Sequence, residues 1–170
     1  MRKFRLIIIT GLPGTGKTTL ARDLASRYTL PLICKDTLKE PMMDVLGSQV
    51  SSRALSDASF AVMFAMAREL LSRGHSLILE GNFRAGEHEA PLLQTLPSSD
   101  SAPTIVQLLC SANEEERRSR LLQRARDPGR HAGHQDARQL ERVAACDSFL
   151  ELPGERLTYR VGSALCETLF

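Results

Sequence analysis

The chain contains no tryptophan, two tyrosines and six phenylalanines, so aromatic residues fill 5% of its 170 positions. That scarcity speaks against a groove that stacks the bases of a single-stranded nucleic acid. An excess of one charge sign is also missing. The 22 Lys and Arg against 20 Asp and Glu leave a net charge of +2, too small by itself to mark a nucleic-acid binder. No apolar run approaches the ~20 residues needed to cross a bilayer. The apolar run at the N-terminus is short and reads as a strand rather than a signal peptide, because a glycine-rich loop follows it without a cleavage site. Cysteine is sparse. Cys34, Cys110, Cys146 and Cys166 are widely spaced and form no C-x-x-C pair, which favours small buried hydrophobes in a reducing cytosol over disulfides or zinc. The expected setting is therefore cytoplasmic, with no membrane contact and nucleic acid an unfavoured partner.

What is present is a globular composition, 42% apolar and 25% charged, in a length that suits one domain spanning 1–170. Within it, Gly11-Leu12-Pro13-Gly14-Thr15-Gly16-Lys17-Thr18 is a G-x-x-x-x-G-K-T phosphate-binding loop. The apolar run Phe4–Thr10 precedes it. After it, Leu20, Ala21, Leu24, Ala25 and Tyr28 fall on one helical face. Strand, glycine loop and helix are the context the motif needs. The glycines let backbone N–H groups wrap an anion at the helix N-terminus. Lys17 then reaches the β- and γ-phosphates, Thr18 holds Mg²⁺, and the loop from Gly11 to Thr19 binds the nucleotide.

Strand and helix patterns alternate along the rest of the chain, as in an α/β parallel sheet. Strands are expected at about 4–10, 30–34, 76–80, 104–110 and 155–161. Helices are expected at about 17–29, 36–46 (with Pro41 straining or breaking it), 53–73, 86–96, 113–125 and 136–150, with a short one at the C-terminus. In the 53–73 helix, Leu55, Ser59, Val62, Met66 and Leu70 set the apolar spacing, and Val62–Met66 reads as core. Gly74 is the candidate C-cap, and 97–101 is a polar turn. Five parallel strands with helices on both faces place a ligand beyond the strand C-termini. The residues there are the phosphate loop, Lys35-Asp36, Glu80-Gly81-Asn82-Phe83 and Ser111.

Asp36 follows the second strand and has two readings. A carboxylate facing the γ-phosphate can take the proton of an attacking hydroxyl; Asp is equally a common N-cap of a following helix. Lys35 is a solvated neighbour or a substrate contact. Glu80 ends an apolar strand, where an acid holds Mg²⁺ directly or through water, or else meets substrate. Asn82 and Phe83 are candidates for an acceptor pocket, with Phe83 equally a core residue. From Arg117 to Arg142 there are eight arginines and three acids. Glu114 with Arg117 or Arg118, and Glu116 with Arg120, have helical pair spacing. Arg124 and Arg126 have no such partner, which suits an arginine-rich lid over about 120–136 that clamps phosphate. A solvated basic face is the other reading. Zinc at His131, His134 and Asp136 lacks further ligands at metal-site spacing, and Asp136 is more simply a helix N-cap.

Taken together, Gly11–Thr19, Lys35-Asp36, Leu79–Phe83, Arg120, Arg124, Arg126 and Arg130-His131-x-Gly133-His134-x-Asp136 resemble the small P-loop kinases grouped with AAA-family ATP-binding proteins. That group is similar to zeta toxins, chloramphenicol phosphotransferase and polynucleotide 5′-hydroxyl kinases. The resemblance implies a kinase core with strand order 2-3-1-4-5 and a lid. It implies that Asp36 takes the general-base position and that Arg120, Arg124, Arg126 and Arg130 contact the triphosphate. Ala132 departs from the group, which often has proline there.

The expected activity is transfer of the γ-phosphoryl group of ATP·Mg²⁺ to a hydroxyl of a small molecule. Lys17, Asp36, Arg124 and Arg130 are the catalytic set, and Thr18 and Glu80 hold the metal. A ring-forming ATPase would place Asp-Glu after the third strand and carry an extra helical domain, whereas this chain has Glu80-Gly81. A non-catalytic nucleotide binder and a polynucleotide 5′-hydroxyl kinase also compete with the small-molecule kinase. The acceptor is not readable, although its contacts fall to 36–66 and 81–95. No guanine-reading Asn-Lys-x-Asp is present.

Overall fold

The computed structural model describes residues 4–98, 102–129, 131 and 148–163. The predicted sites Arg130, His134 and Asp136, the other residues of 132–147, Cys146, Cys166 and the C-terminal helix lie outside the described residues, as does part of the 97–101 turn.

Strand β1 (Arg5–Gly11) runs up the middle of the sheet, flanked by β3 (Leu77–Glu80) and β4 (Thr104–Ser111); β2 (Leu32–Cys34) and β5 (Glu155–Arg160) are the edges. All pairings are parallel and the order is 2-3-1-4-5, as the resemblance implied. A central parallel strand is buried on both faces, so it reads as a continuous apolar run. In β1 the alternation still decides partners. Leu6 and Ile8 join one apolar cluster with α3 (Ser52–Ser72), while Ile7 and Ile9 join the other with α1 (Lys17–Tyr28). Among the described residues, no helix is long and apolar enough to cross a membrane.

Four departures from the expected elements have local causes. Helix α2 (Lys35–Leu46) continues through Pro41. Proline there removes one backbone donor, yet the helix packs along α3 and is not broken. Helix α3 keeps Leu55 and Ser59 of the expected stripe inward, with Leu70 packed on the core, but turns Val62 and Met66 outward. Leu55, Ser59, Phe60, Met63, Phe64, Ala67 and Leu71 are buried, whereas Val62 and Met66 are 41% and 44% exposed. The correction follows from Phe60 and Phe64, whose rings fill the space under β3 with Phe83 and His88. The helix does end where expected, with the Gly74 N–H bonded to the Leu71 carbonyl at 2.9 Å. The 86–96 helix shrinks to α4 (Glu89–Leu93), because residues 84–88 form a turn in which the Arg84 N–H donates to His88 Nδ1 at 2.9 Å. Finally, residues 148–150 are not helical. Leu150 instead joins the core cluster of α3, bonded through both its N–H and its carbonyl to the buried side chain of Gln107 in β4 at 2.9 and 3.2 Å. Helix α5 (Glu114–Ala125) begins at Asn113, whose side chain accepts from the Glu116 N–H.

Candidate functional site

The end of β1 turns into the phosphate loop through Gly11, whose φ is +133°. A Cβ at this position would stand 2.3 Å from the Cys110 carbonyl oxygen of β4. Glycine is thus fixed here by the sheet before any ligand is considered. Gly14 has φ +86° and lies against Arg117 and Leu121 of α5, which lets α5 come down on the loop. The loop folds on itself around one acceptor. The Leu12 carbonyl receives the Thr15 N–H at 3.3 Å, the Thr15 hydroxyl at 2.8 Å and the Lys17 ammonium at 2.9 Å. Pro13 is half-buried and Thr19 is exposed at the start of α1.

Lys17 is buried, and so is Glu80 at the end of β3. The Thr18 hydroxyl donates to Glu80 Oε2 at 3.4 Å across 62 residues of sequence. Burial lifts the Glu80 carboxyl above the usual carboxylate range. Lys17 opposes that rise, Asp36 adds to it, and hydrogen bonds from Cys34 and Thr18 oppose it. The chain's own residues therefore leave the charge of Glu80 under-compensated. That is the environment of a carboxylate that takes a cation, and a hard oxygen pair of hydroxyl and carboxylate suits Mg²⁺, which keeps waters and phosphate oxygens for its other positions. The neighbouring thiols are inert. Burial pushes Cys34 and Cys110 up to about 12.

Asp36 is not a helix cap. Helix α2 begins at Lys35, Cys34 occupies the cap position, and no side chain caps it. Asp36 is half exposed, with the buried Lys35 ammonium 3.3 Å from its Oδ1. Of the two readings of Lys35, the solvated neighbour is excluded. Phe83 is fully buried core, and its carbonyl accepts from Thr10 at 3.4 Å. Asn82 is half-buried beside it.

Helix α5 brings its arginines to the other side of the loop. Arg120 donates to the Gly14 carbonyl at 3.2 Å and pairs with Glu116 at 3.8 Å. Glu116 also holds Arg160 at the end of β5, at 3.6 Å. The expected pairs of Glu114 with Arg117 and Arg118 do not form. Arg117 is buried against Gly14, and its Nη1 has no hydrogen-bond partner among the described residues. Arg124 lies one turn beyond Arg120 and is partly buried; Arg126 closes the helix and is exposed. His131 Nε2 is 2.9 Å from Asp44 Oδ1 at the far end of α2. Sequence reasoning passed over Arg117, treating it as one partner of a surface pair. It also missed Val161, whose Cγ2 would lie 2.4 Å from a Cβ placed on Gly16.

Comparison with known proteins agrees with this geometry. An uncharacterized protein of Mycobacterium tuberculosis (strain H37Rv) is 33% identical over 130 residues, covering 71% of this chain and 26% of its own length. The chain thus spans about a quarter of the curated relatives it matches. A solved structure described as a "putative kinase" from Chloroflexus aurantiacus J-10-fl is 34% identical, covers 92% of this chain and 88% of its own, and superposes with a TM-score of 0.78. A sugar kinase from Janibacter sp. HTCC2649, 15% identical and with a TM-score of 0.59 over 93% of this chain and 85% of its own, shares the fold. The model of one family, described as an AAA domain, matches residues 6–147. With its P-loop, its 2-3-1-4-5 sheet and that match, the chain belongs to the AAA domain family AAA_33.

Proposed function

We propose that this protein is a P-loop kinase that transfers the γ-phosphoryl group of ATP·Mg²⁺ to a hydroxyl of a small molecule, within one domain whose lid is formed by residues of about 120–136. The observation that carries the reading is the position of Asp36. It is inside the first turn of α2 rather than capping it, two residues after Cys34, which pairs in the β2–β3 ladder with Glu80, the acid that meets Thr18. A carboxylate near the metal-binding pair but not part of it is what an acceptor hydroxyl requires.

In this reading, backbone N–H groups from Gly11 to Thr19 hold the phosphates. Lys17 carries charge to the β- and γ-phosphates, and leaves the Leu12 carbonyl to do so. Mg²⁺, held by Thr18 and by Glu80 directly or through water, supplies charge neutralisation at the phosphate oxygens when bound. Asp36 accepts the proton of the acceptor hydroxyl as its oxygen forms the new bond to the γ-phosphorus; the bond from that phosphorus to the β-bridging oxygen breaks and ADP leaves. Arg120, Arg124, Arg126 and Arg130 supply donors to the transferring group from the lid side, where a planar fork matches phosphate geometry. Arg120 is already at the loop through the Gly14 carbonyl.

The test is transfer of labelled γ-phosphate from ATP·Mg²⁺ into a panel of sugars, nucleosides, hydroxyl-bearing antibiotics, nucleotide sugars and 5′-hydroxyl oligonucleotides. A labelled small-molecule product that vanishes in Lys17→Ala and Asp36→Asn supports the reading. Free phosphate released equally by wild type and Asp36→Asn, with no labelled product, refutes it.

A further inference from the structure

The seam between α2 and α3 carries a cation that the steps above do not use. Lys39 stands three residues after Asp36, on the same face of α2. Its ammonium donates to the hydroxyls of Ser52 at 3.0 Å and Ser56 at 3.1 Å, both on the first turns of α3. Among the described residues, no carboxylate lies within ion-pair distance of it. The acids nearby are engaged elsewhere. Asp57 is held by Arg53 at 3.1 Å, Glu87 by Arg53 and Arg84 at 3.5 and 3.3 Å, and Asp36 by Lys35 at 3.3 Å. Lys39 is partly buried, and that burial and the charge of Lys35 hold its ammonium below the usual lysine value, with the Asp36 carboxylate opposing them.

A lysine that serves only to tie two helices together finds an acid or reaches water, because a half-buried ammonium with no carboxylate in ion-pair contact is costly. This one ends on two hydroxyls. Each hydroxyl accepts from Lys39 and so keeps its own O–H free to donate, and the ammonium keeps a third N–H. Three donors with surplus positive charge thus converge within one helical turn of the carboxylate assigned to the acceptor hydroxyl. A ligand that satisfies them is an oxyanion.

We propose that Lys39, Ser52 and Ser56 form the anion-recognition site for the phosphoryl acceptor, so that the acceptor is a hydroxy compound that also bears a carboxylate or phosphate group. The inference rests on the kinase reading for its substrate, and on the α2–α3 geometry alone for its site.

Two measurements on the full chain separate those supports. Matched acceptors, glycerol with glycerate and glycerol 3-phosphate, and sorbitol with gluconate and sorbitol 6-phosphate, are offered with labelled ATP·Mg²⁺. Binding of the same compounds is followed calorimetrically with a non-hydrolysable ATP analogue filling the phosphate loop. The anionic members bind and accept phosphate in preference to their neutral counterparts, and the carboxylate and phosphate arms identify which anion is read. Lys39→Ala raises KM for the preferred acceptor about 10–100-fold, as expected for loss of one charged hydrogen bond, with kcat within about threefold. Lys39→Arg restores most of the affinity, a rescue that a packing role would not give. Binding of anionic compounds that is lost in Lys39→Ala, without transfer, would keep this site and remove the kinase reading. Preferred transfer to neutral acceptors, KM unmoved in Lys39→Ala, or no binding of any anionic compound to the wild type overturns the proposal.

Discussion

Replacing Gly11 by alanine isolates the requirement that the sheet places on the phosphate loop. Two penalties add. A residue with a side chain held at φ +133° costs about 1–3 kcal/mol. The new Cβ would also stand 2.3 Å from the Cys110 carbonyl oxygen, far inside a normal contact. Because that oxygen is backbone, and Gly11 pairs with Cys110 in the β1–β4 ladder, relief requires the two strands to part locally. Overpacking of this kind costs about 1–3 kcal/mol. The sum, about 2–6 kcal/mol, is a large share of the ~5–15 kcal/mol that stabilises a typical domain. At about 2–4 °C per kcal/mol for a chain of this size, the melting point falls by roughly 5–20 °C. Gly86 supplies the control. Its φ is +81°, but an added Cβ there meets nothing within 4 Å, so Gly86→Ala incurs only the backbone part. Urea unfolding of both variants, with the slope unchanged, reads the difference. Gly11→Ala should lose at least ~1 kcal/mol more than Gly86→Ala. Equal losses would refute the argument that the β4 backbone, rather than φ alone, demands glycine at the loop's first position.

Three further outcomes follow from the packing and the charges. Gln107→Leu strands the N–H of Leu150, whose carbonyl keeps Arg156 and the Leu152 N–H as donors, and should cost about 1–3 kcal/mol in urea unfolding; a neutral change would mean that the 148–152 segment is not held by this side chain. Met63→Ala should cost about 2–5 kcal/mol and Val62→Ala less than ~1 kcal/mol, and the reverse order would restore the helix face suggested by the Leu-Met spacing. Because the folded-state pKa of Glu80 is raised, the stability it contributes is full below its unfolded value and is lost as pH rises through its folded value. Melting points of the metal-free protein should therefore decline across that window in wild type, and Glu80→Gln should lack this component. Parallel profiles in the two proteins would contradict it.

The residues that were legible in the sequence are those whose neighbours are local. Gly11–Thr18 announces itself because the strand, the loop and the helix are consecutive. Sheet order came with the family resemblance, and the strand limits shifted by only one or two residues. Asp36 was ambiguous because cap and base occupy adjacent positions at a helix start; the beginning of α2 at Lys35 removes the cap reading and leaves the base role to the transfer assay. In helix α3 the face departs from expectation only at Val62 and Met66, whose apolar spacing is as regular as that of Met63 and Phe64; the aromatic packing under β3 chooses between them, and it depends on Phe83, far away in sequence. Lys39 carried no signal at all. Its partners are 13 and 17 residues away on another helix, and a lysine on an amphipathic helix reads as solvated. Gln107, bonded 43 residues away, is legible only once the sheet is formed.

The most direct test of the central claim compares wild type with Asp36→Asn, measuring ATP affinity and labelled transfer to the acceptor in the same preparations. If Asp36 takes the acceptor's proton, the variant binds ATP·Mg²⁺ as tightly as wild type and loses transfer by about 10²–10⁴-fold. Transfer at the wild-type rate would contradict the account, leaving Asp36 as no more than a carboxylate at the start of a helix.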